Sequence, residues 1–200
     1  LAGQAQEVGS MDTQPVGRET LDRIVAVVND GAIMRSELEE RVAQARSQIA
    51  GQEQQVPSDA ELRRQVLDRM IVEEIQLQMA REANLSVDDT ELNGQVRAIA
   101  ENNGMTLDQF ADALEADGLS LTVVRDQVRR ELMMRQLQQR QVASRVNISE
   151  REVDRFMEQA GASRDQARQA LFQRKVSAEM EEWVQEIRSR AFVDNRLAER

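Results

Sequence analysis

From Leu21 onward, apolar and polar positions fall into two kinds of pattern. Ile24, Val25, Ala26, Val27 and Val28 form a run rich in β-branched residues, Asn29-Asp30-Gly31 interrupts it, and Ala32-Ile33-Met34 resumes it. Two short apolar runs flanking residues that tolerate positive φ predict a β-hairpin. Such a hairpin is marginal on its own in water and must lean on something else.

From Ser36 the repeat becomes helical, and Ser or Thr marks most helix starts. Ser36 with Glu39 predicts a capping box for a helix to about Ile49, and Ser58 with Glu61 predicts another after the break from Gly51 to Pro57. The second helix runs to about Ala83. Its apolar residues, among them Leu62, Val66, Leu67, Met70, Ile71, Ile75 and Leu77, occupy more than one stripe, which suits the middle of a bundle. Ser86 or Asp88 opens a helix through Leu92, Val96 and Ile99, stopped at Asn102-Asn103-Gly104. Thr106 caps a short helix closed by Asp117-Gly118, and Ser120 caps a long one with Leu121, Val124, Val128 and Leu132 at helical spacing. Arg145 to Ile148 reads as a brief strand. Ser149 with Glu152 predicts a third capping box.

Beyond Gly161-Ala162-Ser163 two helices are expected, one around Ala167–Arg174 and one from Ser177 carrying Met180, Trp183, Val184 and Ile187. The segment from Ala191 to Asn195 is short and β-prone, and pairing it with the N-terminal hairpin would close the fold across nearly its whole length. The expected fold class is therefore mainly α: an irregular helical bundle with a small N-terminal hairpin joined by a short C-terminal strand. Residues 1–20 lack apolar periodicity and read as a mobile leader or tag, with Gly9-Ser10-Met11 resembling a cloning scar.

Composition narrows the function. The 200 residues contain no histidine and no cysteine, which excludes Ser-His-Asp and Cys-His catalysis, H-E-x-x-H zinc sites, disulfides and thiolate chemistry. The only lysine, Lys175, follows Arg174 and not Gly, so there is no Walker A loop, and no G-x-G dinucleotide fingerprint exists. No cofactor is expected. Net charge is −10, against a wholesale nucleic-acid binder, and no apolar run approaches a membrane span.

Several candidate sites have simpler explanations. Asn84-Leu85-Ser86 and Asn147-Ile148-Ser149 match a glycosylation pattern, but each serine stands where a helix needs a cap. The pairs Glu73-Glu74, Asp88-Asp89 and Glu181-Glu182 read as solvated helix faces more readily than as general acids and bases. Arg125, Arg129, Arg130, Arg135, Arg140 and Arg145 form a track along one long helix; pairing with neighbouring acids accounts for it better than nucleic acid.

Methionine stands apart. There are nine, against five aromatic residues. Methionine is a flexible, polarisable side chain found in cores and on surfaces that accept varied partners. Met133 and Met134 are adjacent on a helix and point about 100° apart, so one of them falls outside the bundle-facing stripe. The candidate peptide-binding residues are Met70, Met79, Leu132, Met133, Met134 and Leu137.

A family resemblance runs through these stretches. Val27-Val28-Asn29-Asp30-Gly31, RQVLDRMIVEEIQLQMA from Arg64, IAENNGMTLDQF from Ile99, LEADGL from Leu114, RDQVRRE from Arg125 and RVNISEREV from Arg145 resemble the SurA family of periplasmic chaperones, as does ARQALFQRKVSAEMEEWVQE from Ala167. Their order along residues 21–157 and 165–197 carries the likeness. The family normally holds two parvulin-type prolyl isomerase domains between these segments. Here the N-terminal core, 21–157, meets the C-terminal helix and strand, 165–197, across a junction at 158–164. The chain thus resembles either an engineered core or a natural homologue without those domains.

What the resemblance implies is an ATP-independent chaperone core, not an enzyme. It would act in the periplasm as a mature form, binding unfolded outer-membrane β-barrel proteins or aromatic-rich peptides in an extended apolar crevice. It would deliver them to the barrel-assembly machinery, with no nucleic acid and no stable membrane insertion, and a peptide-linked dimer is an arrangement left open. The alternative is a helical nucleic-acid-binding or protein-interaction module.

Overall fold

The structure is a computed structural model and describes residues 21–52 and 55–198; the proposed leader, residues 1–20, lies outside them. The expected hairpin forms from β1 (Ile24–Val28) and β2 (Gly31–Met34), turning at Asn29 with φ of 52°. A third strand, β3 (Val193–Asn195), lies antiparallel against the other side of β1, matching Val28 to Val193, Val27 to Asp194 and Ala26 to Asn195. The pairing expected between the two ends of the fold is present.

Seven α-helices follow the hairpin in the described residues. They are α1 (Arg35–Ile49), α2 (Asp59–Glu82), α3 (Asp89–Asn102), α4 (Leu107–Ala116), α5 (Leu121–Gln141), α6 (Glu150–Ala160) and α7 (Arg164–Arg190). Most of the punctuation acts as its chemistry dictates. The side chains of Ser58, Asp88, Thr106, Ser120 and Ser149 each accept a backbone N–H from the first turn they precede, and Thr106 and Ser149 close full capping boxes.

Ser58 caps α2 without closing the expected box, because the Glu61 carboxylate pairs with Arg64 and Gln65 instead of the Ser58 N–H. Three further local expectations fail, each for a physical reason. Ser36 does not cap α1, which begins one residue earlier. The Asp22 carboxylate takes that place, accepting the Ser36 N–H at 3.1 Å and also the Ser36 hydroxyl, while Glu39 turns away to pair with Arg63 at 2.8 Å. The Ser36 hydroxyl, then its N–H, hold the Asp22 carboxyl below its ordinary pKa. Residues 145–148 form no strand; the chain makes a 3-10 turn at Ala143–Arg145 and then runs extended without a partner strand. The two helices expected beyond Ser163 are one, because no glycine or proline interrupts residues 164–190 and Ser177 is tolerated in the interior.

Apolar burial divides into three clusters. The main one gathers the hairpin, α1, α2, the end of α5 and the second half of α7, including Val28, Leu38, Leu67, Ile71, Leu137, Trp183 and Ile187. As its multi-striped pattern predicts, α2 is central, packing against α1, α5, α7 and the hairpin. A second cluster joins α3 to α5 through Leu92, Val96, Val128 and Leu132, and a third joins α6 to the first half of α7 through Val153, Ala167 and Leu171.

The third cluster is held by the sole lysine. Lys175 Nζ donates to the Asn147 carbonyl at 2.7 Å and to Glu152 at 2.7 and 2.9 Å, and Glu152 also accepts the Ser149 N–H at 2.8 Å. The Lys175 hydrogen bond, then that of the Ser149 backbone, lower the Glu152 pKa to about 2. Because this value lies below the ordinary 4.5, the clasp stabilises the fold above about pH 4.5 and is lost as pH falls toward 2. Carboxyl NMR titration should find Glu152 near 2 and, in Lys175→Gln, back toward 4.5. A midpoint that Lys175→Gln leaves unmoved would refute the clasp.

Candidate functional site

A cleft of about 440 Å³ opens where β2, α1, α2 and the first half of α5 meet. Its formation follows from the core. With Leu38 and Val42 of α1 and Leu67 and Ile71 of α2 buried in the main cluster, the flanks of the two helices are left facing each other across open space. α5 closes the far side, held to α2 partly by a hydrogen bond from Gln138 Nε2 to Oε1 of the buried Gln76 at 2.8 Å.

Apolar residues lie low in the cleft and charged ones along its walls. Ile33, Met70 and Leu77 are 3, 7 and 6% exposed, so only their edges contribute. Val123 on α5 is different: it lines the cleft and is 51% exposed, a large apolar side chain left in water. The walls carry Glu37, Glu40 and Arg41 of α1, Glu73, Glu74 and Arg81 of α2, and Asp126 and Arg130 of α5. Arg41 grips Glu73 through two hydrogen bonds, 3.0 and 3.4 Å, and Arg81 stands 4.0 Å from Glu74. The site can therefore hold a chain segment by partial apolar burial and polar contact along its edges. Among the described residues no group of His, Cys, Asp or Glu is placed to hold a metal ion.

One wall is held by a relay of amides. Gln78 donates to the Val28 carbonyl at 2.9 Å and to Glu74 at 3.0 Å, and accepts from Asn29 Nδ2 at 2.9 Å. The Asn29 side-chain oxygen Oδ1 accepts the Phe192 N–H at 2.9 Å, tying hairpin, α2 and the approach to β3 together. The small Gly31 leaves room for this relay, and a larger residue would push the Gln78 and Glu74 side-chain ends aside. A Cβ at that position would stand 2.7 Å from Gln78 Nε2 and 2.8 Å from Glu74 Oε1.

The six nominated residues separate. Met70 lines the cleft. Leu137 is 1% exposed in the main core, against which Met79 and Met133 also pack, and Leu132 is buried in the second cluster. Met134 is half-buried and belongs to none of the three clusters. It continues the α5 row of Val123, Gln127 and Arg130 that walls the cleft, since residues 4, 7 and 11 apart share a helix face.

Sequence reasoning missed Val123 and the charged walls. The signal for Val123 was its place outside the row of Leu121, Val124, Val128 and Leu132. Glu73 and Glu74, read as solvated, border the cleft instead. The crevice also differs from the apolar trough expected, because the helix flanks that border it are the charged sides of amphipathic helices. The arginine track is not one positive face either: Arg129 pairs with Asp126 at 2.9 Å, Arg125 donates to Asn93, and Arg130 faces the acids of the cleft.

Comparison with known proteins places these elements. A family model described as the SurA N-terminal domain matches residues 21–138. A protein named Chaperone SurA from Chromohalobacter salexigens is 59% identical over 167 residues, 84% of this chain and 37% of that protein. Another of that name from Alcanivorax borkumensis is 53% identical over 139 residues, 70% of this chain and 32% of its own length. The chain thus spans about a third of the length of these curated relatives. A solved structure of a SurA-like chaperone from Campylobacter jejuni is 20% identical, with a TM-score of 0.47 over 69% of this chain and 50% of that one.

Proposed function

The chain belongs to the SurA N-terminal domain family, and from that membership we propose that it is an ATP-independent chaperone core of the periplasm. Its clients are unfolded outer-membrane β-barrel polypeptides, held in the cleft between β2, α1, α2 and α5 and passed on to the barrel-assembly machinery. The observation that carries this reading is the cleft itself, with the edges of Ile33, Met70 and Leu77 below and the exposed Val123 on its rim.

The physics suits a holdase. Burying apolar surface yields roughly 25 cal/mol per Å² with little sequence preference. Ordering an unfolded chain opposes that gain, so binding is moderate and release needs no fuel. The charged walls limit how much apolar surface any one client can bury. The net charge of −10 keeps loaded molecules apart.

The curated relatives are named as chaperones, and the chain carries no histidine for a parvulin-type site. We place the family's isomerase domains, where present, at the junction 158–164, where α6 ends and α7 begins. The chain is accordingly expected not to accelerate cis–trans exchange of a proline peptide above the buffer rate. No helix among the described residues is long and apolar enough to cross a membrane.

The direct test is aggregation of a denatured porin-like client, followed by light scattering. At several-fold molar excess the chain should suppress it, and aggregation that proceeds unchanged would refute the proposal.

A further inference from the structure

The backbone hydrogen bonds of the sheet leave one edge position unpaired. Asn29 N–H donates to the Phe192 carbonyl at 2.8 Å and Arg196 N–H to the Val25 carbonyl at 2.8 Å. Successive residues of a strand turn their N–H and C=O to opposite sides. Residues 25, 27 and 29 therefore address β3, and 26 and 28 address β2. In β2, Ile33 and Gly31 are matched to Ala26 and Val28, while Ala32 lies opposite Val27. Ala32 N–H and C=O consequently point away from β1. β2 is an edge of the sheet, and Ala32 is exposed, lines the cleft and has no hydrogen-bond partner among the described residues.

We propose that an extended segment of the client adds to β2 as a fourth strand, taking the Ala32 N–H and C=O as its first pair of backbone hydrogen bonds. This deepens the proposed function and rests on it, since it names the conformation recognised in the same cleft. Unpaired backbone groups on a sheet edge select an extended backbone and no particular side chain. Side chains of an added strand alternate between the sheet's two faces. One set then meets the edges of Met70 and Leu77, and the other faces solvent and the charged rim. A transmembrane β-barrel strand, apolar at every second residue, has that pattern. Among the described residues Glu37 and Glu40 on the α1 wall and Arg130 on the α5 wall have no ion-pair partner, so the unpaired charge of the cleft is net negative and favours segments with basic or neutral polar residues.

The test exploits the direction of the Ala32 N–H. Ala32→Pro removes that donor without taking a hydrogen bond from the hairpin, since an edge position facing outward tolerates proline. Anisotropy of a labelled, denatured porin fragment should show Ala32→Pro binding about five- to tenfold more weakly than the unaltered chain, with Ala32→Ser close to it. In the unaltered chain, saturating client should slow hydrogen exchange of the Ala32 amide at least about tenfold, a readout that stands even if the proline variant does not fold. An unchanged Ala32 exchange rate with client bound would overturn strand addition and leave the chaperone reading in place. No binding by the unaltered chain would instead overturn the chaperone reading.

Discussion

Replacing Trp183 by alanine is expected to lower the stability of the chain by about 3–5 kcal/mol, the range for emptying a buried aromatic site. Trp183 is the only tryptophan, 7% exposed, and belongs to the main cluster although it lies on α7, far in sequence from most of its companions. In a chain of this size a loss of that magnitude lowers Tm by roughly 10 °C. Thermal unfolding by circular dichroism measures it, with Phe172→Ala as the comparison: Phe172 is on the same helix but 40% exposed, and its loss should be nearly neutral. A Trp183→Ala loss below about 1 kcal/mol would mean that α7 is an accessory to the core and does not complete it.

The second large effect is expected at Asn29. Three tasks meet there: a left-handed backbone with φ of 52°, a hydrogen bond to Gln78 and one from the Phe192 N–H. Alanine loses both bonds, at about 0.5–1.5 kcal/mol each, and adds about 1–2 kcal/mol of backbone strain. Together these give an expectation for Asn29→Ala of about 2–5 kcal/mol in urea unfolding. Asn29→Gly relieves the strain but not the lost bonds, so its loss should fall between those of the unaltered chain and Asn29→Ala. Equal losses in both variants would remove the backbone contribution, and no loss in either would remove the link between hairpin, α2 and β3.

Most of the fold was legible because its signals are local. A serine, threonine or aspartate before a helical stripe caps it through atoms three residues apart, as Ser58, Thr106 and Ser149 do. Ser36 misled because its partner, Asp22, lies fourteen residues away and outside the helix. Ser177 misled in the opposite sense, a residue common at helix starts sitting within α7. Closure of the sheet by β3 could be proposed from β-prone residues at the chain's far end, but its register depends on Asn29 and Phe192 meeting across the fold.

The cleft was less legible because four separate elements make it. Residue type led to Met70, which lines it, and equally to Leu137, which the main core encloses. Nothing in the local pattern indicates that Glu37, Glu73 and Asp126 look across one gap, or that the second residue of a four-residue strand keeps its backbone groups unpaired.

Because the chain contains no cysteine, a single introduced thiol can be labelled cleanly, and this permits the most direct measurement of the central claim, that unfolded client occupies this cleft. An environment-sensitive fluorophore on Val123→Cys, at the rim, is compared with one on Ser144→Cys, exposed beyond the far end of α5. On adding denatured porin-like client, emission from position 123 should shift to the blue and saturate while position 144 stays unchanged. A bound client that leaves position 123 unchanged would contradict the account.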